Sequence, residues 1–192
     1  MLPRISLIVC VLAAAASPTP HQPGCEPPVW GATVTVFDSR VKAYVVLRDR
    51  LEGSLPRPIA TGTVADVDSA RRALAAKIRT ARERARQGNL FSAEITAEIR
   101  KSLRRAIDAH TWKVIMDDNP GEVPSQVNDE YRDGSPLTTM PPNVLAALPR
   151  LPGDIEYRFV ERHLILLDTR ALVIVDRIPY AIGDPAGEGS CR

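Results

Sequence analysis

The sequence has few of the residues on which enzyme active sites and metal centres usually depend. Its 192 residues include only three histidines and three cysteines. No HxxxH, HExxH or CxxC pattern occurs, so no local spacing suits a transition-metal site. No Gly-x-Ser-x-Gly turn presents a serine nucleophile, and no glycine-rich loop lies between a predicted strand and a predicted helix. These absences argue against a hydrolase, a nucleotide-binding protein and a metalloprotein, and they predict no catalytic residue, no metal and no cofactor.

Long hydrophobic runs are also scarce. The clearest one extends from Ile5 to Ala16, follows the single positive charge of Arg4, and ends on small residues. This arrangement is typical of a secretory signal peptide, and about a dozen apolar residues are too few to span a bilayer, which needs roughly 20. The sequence therefore predicts a signal peptide over residues 1–16 and a mature protein exported to the periplasm or beyond, with no transmembrane segment after cleavage.

Removal of the signal peptide would leave two cysteines, Cys25 near the new N-terminus and Cys191 next to the last residue. In an oxidising compartment this pair predicts one disulfide that joins the ends of the domain. Two alternatives stay open. Free thiols are one, and a lipid-modified Cys25 is the other, because Gly24 precedes it as in many lipoprotein processing sites. Gln22 and Pro23 do not fit that lipoprotein pattern.

Seventeen prolines divide the chain into regions. Residues 17–28 form a predicted proline-rich tether, and residues 184–192 form a predicted flexible tail. Between them, residues 29–183 predict a single α+β domain. Its parts are helices over 36–116, an extended acidic arm over 117–140, and a short helix followed by a β-meander over 141–180.

Three main helices are predicted in the N-terminal half. Thr35 and Asp38 have the spacing of a capping box for the first helix, which Gly53 ends. Its basic residues are predicted to lie outside: Arg40, Lys42, Arg48 and Arg50.

The second and third predicted helices form a hairpin. Asp66 and Asp68 mark the start of the second helix, and Gly88 marks its end. Ser92 is the predicted cap of the third helix, whose continuation to Met116 is expected, although the apolar pattern weakens there. Apolar residues at helical spacing form the predicted buried stripes: Ala70, Leu74, Ile78, Ala81 and Ala85, then Ile95, Ile99, Leu103 and Ile107.

The most hydrophobic block lies between Ile155 and Ile178, with polar breaks at 161–162 and 169–170. The positions of these two breaks predict a three-stranded antiparallel meander. The first strand alternates apolar and polar residues, whereas the second and third are almost continuously apolar, as in strands covered on both faces. Such a sheet would aggregate if it were uncovered, so the helices are predicted to pack on it.

Charge is unevenly distributed along the chain. Residues 71–105 contain eleven lysines and arginines and three glutamates, a net of +8, whereas residues 117–156 carry a net of −6. One interpretation is a basic docking face for an anionic surface or an envelope protein, with Arg82, Arg86, Arg100 and Arg104 as members. The other is that the acidic arm folds across the basic helices. Nucleic acid is not an expected partner, because the basic residues lack interleaved aromatics and the chain is predicted to be exported.

A second hypothesis is a periplasmic metal-handling protein or a small enzyme built around His163, Asp168 and Asp176. Asp176 interrupts an apolar strand, which suits a site. The simpler interpretation is a strand-end carboxylate that faces solvent. The first hypothesis, a non-enzymatic envelope protein that binds or stabilises a partner, has more support from the composition.

The C-terminal block also carries a resemblance. The run MPPNVLAALPRLPGDIEYRFVERHLILLDTRALVIVDRIPYAI resembles a group of exported bacterial proteins of unknown function, and the likeness extends upstream through QGNLFSAEITAEIR. The hairpins between Tyr157 and Val175 more loosely resemble small periplasmic modules of the nickel and cobalt homeostasis type. The resemblance implies export and the α+β architecture. It implies no catalytic residue, and the chain has no histidine-rich metal tract.

Overall fold

The computed structural model describes residues 30–56, 63–119, 121, 123, 125–131 and 139–183. Five helices precede three strands: α1 (Ala32–Gly53), α2 (Val64–Ala81), α3 (Ala93–Ala106), α4 (Ala109–Asp117), α5 (Pro142–Ala146), β1 (Ile155–Val160), β2 (His163–Asp168) and β3 (Val173–Ile178). Helices in the N-terminal part and an antiparallel sheet at the C-terminus make this an α+β fold, as predicted. The predicted signal peptide, tether, tail and both cysteines of the predicted disulfide lie outside the described residues.

Helix α1 begins earlier than the sequence pattern indicates. Its N-cap is Gly31, without a side-chain hydrogen bond, and Thr35 lies inside the helix. The predicted capping box of Thr35 and Asp38 is therefore wrong. The predicted end at Gly53 is confirmed, and the buried side chains of the helix include Phe37, Val41 and Tyr44.

A true capping box starts α2. Thr63 accepts a hydrogen bond from the Asp66 amide, and the Asp66 carboxylate accepts one from the Thr63 amide at 2.7 Å. Together these bonds satisfy two of the amides that a helix start leaves free. The helix ends at Ala81 and not near Gly88, and a turn-rich segment connects it to α3.

The predicted third helix is two helices. Ile107 adopts an extended conformation, and the carboxylate of Asp108 then accepts a hydrogen bond from the Thr111 amide at 2.7 Å and caps α4. The predicted continuation to Met116 is therefore wrong, because a strong N-cap residue restarts the helix in a new direction. The predicted buried stripe of α3 is confirmed at Ile95, Ile99 and Leu103.

The predicted meander is confirmed, with strand order β1-β2-β3 and antiparallel pairing throughout. Every residue of β2 is buried, as are five of the six in β3. The register of β2 against β3 shifts between Leu166 and Leu167, which leaves Val175 as an extra residue on β3. A bulge of this kind redirects the side chains on the longer strand.

Two separate clusters cover the sheet. The helix-facing side belongs to the main core, in which Leu164 and Leu166 pack with residues of α1, α2 and α3. The opposite side carries a small cluster that includes Tyr131 and Val123 from the acidic arm and the following residues of the strands: Val160, Ile165, Leu167 and Ile174. Both sides of the sheet are therefore shielded from water.

The described part of the arm also pairs with the edge of β3. The Asn128 amide donates to the Ile174 carbonyl at 2.8 Å, and the Ile174 amide donates to the Asp129 carbonyl at 2.9 Å. These bonds satisfy backbone groups of an edge strand that would otherwise be free. Within the described ranges, no helix combines the length and apolar character needed to cross a membrane.

Candidate functional site

A groove of about 610 Å³ lies between α1 and the segment that follows α2. We call it the arginine groove. Three arginines and one glutamate contribute to its lining, together with small and apolar side chains. The lining residues are Arg40, Ala43, Tyr44, Leu47, Thr80, Ala81, Arg82, Glu83, Arg84, Ala85, Asn89 and Leu90.

Arg82 forms the inner part of the groove and is held by three different groups. Its guanidinium donates to the Asn128 Oδ1 at 3.1 Å and to the Val175 carbonyl at 2.8 Å. The guanidinium carbon also lies 5.1 Å from the centroid of the Tyr44 ring, a cation–π distance. Burial lowers the pKa of Arg82. Because the pKa of an arginine lies far above neutral pH, the side chain still keeps its charge. Arg82 therefore contributes a fixed positive charge beneath the more exposed arginines.

A buried carboxylate fixes the orientation of Tyr44. The Tyr44 hydroxyl donates to Asp168 Oδ2 at 2.6 Å, and Asp168 also accepts from the amides of Arg170 and Ala171 at 2.9 and 3.2 Å. Burial and the neighbouring negative charge of Asp168 raise the pKa of Tyr44, so the hydroxyl remains protonated as the donor. The arginine groove thus has a rigid aromatic wall.

A second buried carboxylate fixes the segment before α3. Asp176 accepts hydrogen bonds from the amides of Gly88, Leu90 and Phe91 at 3.0, 2.6 and 2.9 Å. Gly88 has φ of +90°, a conformation that favours glycine. Three backbone bonds to one carboxylate hold this turn as the rim of the arginine groove.

The β-bulge explains how Asp176 reaches this turn. Because Val175 is the extra residue, Asp176 lies opposite Leu166 and shares the helix-facing side with it. In a regular strand, side chains alternate, so Asp176 would have faced the arm like Ile174, and only Val175 would have faced the helices. The bulge therefore brings both neighbours, Val175 and Asp176, to the helices.

The outer part of the arginine groove carries accessible charge. The Arg84 side chain is 94% exposed, and its Nε lies 3.8 Å from Glu83 Oε1, too far for a strong pair. Arg40 lines the opposite wall on α1. Arg86 lies two residues beyond Arg84, is exposed, and donates to the carbonyls of Glu83 and Ala85. The groove can therefore attract anions.

The four predicted members of the basic face lie in different surroundings. Arg82 and Arg86 belong to the segment that lines or flanks the arginine groove. Arg100 donates to the Pro179 carbonyl at 2.7 Å, which ties α3 to the segment after β3. Arg104 lines a separate depression of about 90 Å³. Only the first pair is brought to the arginine groove, and sequence reasoning did not include Arg40 or Arg84.

The described part of the acidic arm contacts the basic helices near Arg79 and Arg82. Asn128 Nδ2 donates to the Arg82 carbonyl at 2.6 Å, and Asn128 Oδ1 accepts a hydrogen bond from the Arg82 guanidinium. Next to it, Arg79 lies 3.8 Å from Glu130. These contacts leave Arg40 and Arg84 without an acidic partner from the described part of the arm.

The residues of the metal or enzyme hypothesis have other partners. The predicted solvent-facing position of Asp176 is wrong, since both it and Asp168 are fully buried. His163 Nδ1 accepts from the Tyr180 amide at 2.9 Å, and burial lowers the pKa of this histidine. In the parts of the chain that the structure describes, no three histidine, cysteine or carboxylate side chains are grouped to hold a metal ion.

One further prediction is wrong in a way that bears on the site. Arg48 was expected on the outside of α1 but is 3% exposed. Its guanidinium lies 2.9 Å from Asp49, 3.4 Å from Asp154 and 3.7 Å from Asp168. A buried arginine needs such acidic partners. Asp49 is the next residue in the chain, whereas Asp154 and Asp168 come from distant segments. The signal in the sequence was Asp168, a carboxylate within the apolar C-terminal block.

Comparison with known proteins adds no relative. No family model, no curated protein and no solved structure matches this chain.

Proposed function

We propose that this protein is an exported, non-enzymatic binding protein whose arginine groove holds an acidic segment of a partner protein. The observation that carries the proposal is the groove itself, with exposed Arg84 and partly buried Arg40 near a fixed Arg82. A groove with three arginines and one glutamate has a net positive charge, which attracts and orients an acidic partner. The rim and the aromatic wall are held by buried carboxylates, so little ordering is needed when a ligand binds.

The lining favours a protein segment over a bare polyanion. Leu47 and the exposed Ala43 and Ala81 give the groove apolar contact area between its charges. A segment that combines glutamate or aspartate with apolar side chains would match both kinds of contact. A glycan or a phosphate head group would match only the arginines.

The proposal gives no catalytic role to His163, Asp168 or Asp176. Each has partners within the fold, and the two carboxylates act by positioning Tyr44 and the rim of the groove. Export rests on the predicted signal peptide, and a disulfide between Cys25 and Cys191 stays a prediction.

The test uses a fluorescein-labelled synthetic peptide of alternating glutamate and leucine, measured by fluorescence anisotropy. The double variant Arg40→Glu/Arg84→Glu should weaken binding by about tenfold or more, because charge-assisted contacts become repulsive. The loss should shrink as salt is added, since exposed charges are screened.

A matched control is the double variant Arg72→Glu/Lys101→Glu, which makes the same change of net charge at exposed positions outside the groove. It should bind the peptide like the parent protein. Equal losses in both variants would reduce the effect to net charge and contradict the proposal. Binding of heparin or anionic vesicles without binding of the peptide would contradict the assignment to a protein segment. Unchanged melting temperatures would show that all variants are folded.

A further inference from the structure

A second groove, of about 960 Å³, lies between β1 and the segment around α5. We call it the β1 groove. Its volume lies within the range of about 300 to 1,000 Å³ that is typical of small-molecule sites. Apolar side chains form most of its lining, among them Trp30, Leu145, Leu148 and Leu151. Leu145 of α5 lines the groove and is 52% exposed, so its side chain is accessible to a ligand. The walls therefore suit an apolar ligand.

Tyr157 adds a polar group that the fold leaves unpaired. The residue lines the β1 groove, is 2% exposed, and stacks on Phe91 with ring centroids 6.5 Å apart. Its hydroxyl has no hydrogen-bond partner among the described residues. Burial, together with the charge of Asp38, raises the pKa of Tyr157, so the hydroxyl is a neutral donor. The hydroxyl oxygen is closed to solvent, so Tyr157 contributes to the wall of the groove and not to its charged contacts.

The charged residues of the β1 groove are Arg150, Glu156 and Arg158. Glu156 forms an ion pair with Arg158, which also donates to the Tyr157 carbonyl at 3.2 Å. Arg158 Nε is buried and has no partner among the described residues. Arg150 is exposed, and no acidic group of the described chain pairs with it. The groove therefore has one unneutralised cation next to apolar walls.

From these features we infer that the β1 groove binds a long-chain fatty acid. The acyl chain would lie against Trp30 and the leucines, and the carboxylate would accept hydrogen bonds from Arg150. An uncharged apolar ligand would leave Arg150 without an acceptor. This inference is independent of the arginine groove, since the two linings share no residue.

The test uses the intrinsic tryptophan fluorescence of the protein. It contains two tryptophans, and Trp30 lines the β1 groove whereas Trp112 lines other cavities. In a Trp112→Phe background, sodium palmitate below its micelle concentration should change the Trp30 fluorescence in a saturable way. Hexadecanol, which has the same chain length without the charge, should bind at least about tenfold more weakly, because a charge-assisted contact is lost.

Two variants separate the head-group contacts from folding. Arg150→Glu should weaken palmitate binding by about tenfold and leave hexadecanol unchanged. Arg72→Glu, outside the groove, is the matched control.

The result that would overturn the inference is a Trp30 signal that does not saturate with palmitate, or one that Arg150→Glu leaves unchanged. A saturable response to an uncharged apolar peptide in the absence of any response to palmitate would also overturn it, in favour of peptide binding.

Discussion

The two sides of the sheet are built differently, although both are buried. The helix-facing side packs against α1, α2 and α3 and is joined to them by Asp168 and Asp176. The arm-facing side is covered by a few side chains from residues 123–131 and by backbone bonds to β3. A thick cover with buried charge–dipole contacts fixes one geometry, whereas a thin cover only excludes water. The arginine groove lies among the segments that cover the helix-facing side, and Asp168 and Asp176 hold two of its walls.

The largest expected effect comes from breaking the polar contact that distinguishes the helix-facing side. Asp176→Ala should lower the free energy of unfolding by about 4 to 5 kcal/mol, because three backbone amides, two of them in buried hydrogen bonds, lose their acceptor. Urea denaturation measures the loss. Asp176→Asn keeps one acceptor oxygen, so its free energy of unfolding should lie between those of the parent protein and the alanine variant. A loss below about 1 kcal/mol for the alanine variant would show that the turn does not depend on this carboxylate.

A direct comparison of the two sides uses neighbouring residues. Leu166 and Leu167 are both fully buried but belong to the helix-facing and arm-facing clusters respectively. Leu166→Ala should cost about 3 to 4 kcal/mol and Leu167→Ala about 2 kcal/mol, because a thin cover can collapse into the cavity more readily. Urea denaturation of the two variants, side by side, gives the difference. Equal losses would mean that the arm packs as firmly as the helices.

The smallest expected effect concerns His163, which lies on the arm-facing side with Ile165. Burial lowers its pKa, and so does the charge of Arg177, with Glu161 opposing and Arg162 adding to the decrease. The unfolded chain, with a histidine pKa of about 6.5, therefore takes up the proton first as the pH falls. Stability should be full above that pH and should decrease below it.

His163→Asn removes this titration and retains an acceptor for the Tyr180 amide. Urea denaturation between pH 7.5 and pH 5.5 should show a smaller decrease for the variant than for the parent protein. Parallel curves would mean that His163 contributes nothing to the pH dependence. The exposed His110 is present in both proteins and cancels in the comparison.

The sequence predicted the strands better than the helix ends. The polar breaks at 161–162 and 169–170 and the apolar runs between them were enough to place β1, β2 and β3. At α1, Thr35 and Asp38 had the right spacing for a cap, but the apolar stripe extends upstream to a position without a capping side chain. Between α3 and α4, the break at Ile107 is followed by the N-cap Asp108, which is a local signal in the sequence.

The candidate site was much less accessible from the sequence. Arg82 and Arg84 are two residues apart, yet one is held beneath the groove and the other is 94% exposed. A count of charged residues along the sequence does not distinguish Arg82 from Arg84. Their difference depends on Asn128 and Val175, which lie far along the chain, and on the bulge that turns Asp176 towards the helices.

The sequence alone determined the local features of this protein: which segments are helical, where the meander turns, and that a sheet so apolar must be covered. These follow from periodicity and from turn and capping residues, which act over a few positions. The tertiary structure decided which charges are buried and which are free, because the partners of Arg48, Arg82, Asp168 and Asp176 come from distant segments. Burial of a charge is settled by those partners and not by its neighbours in sequence.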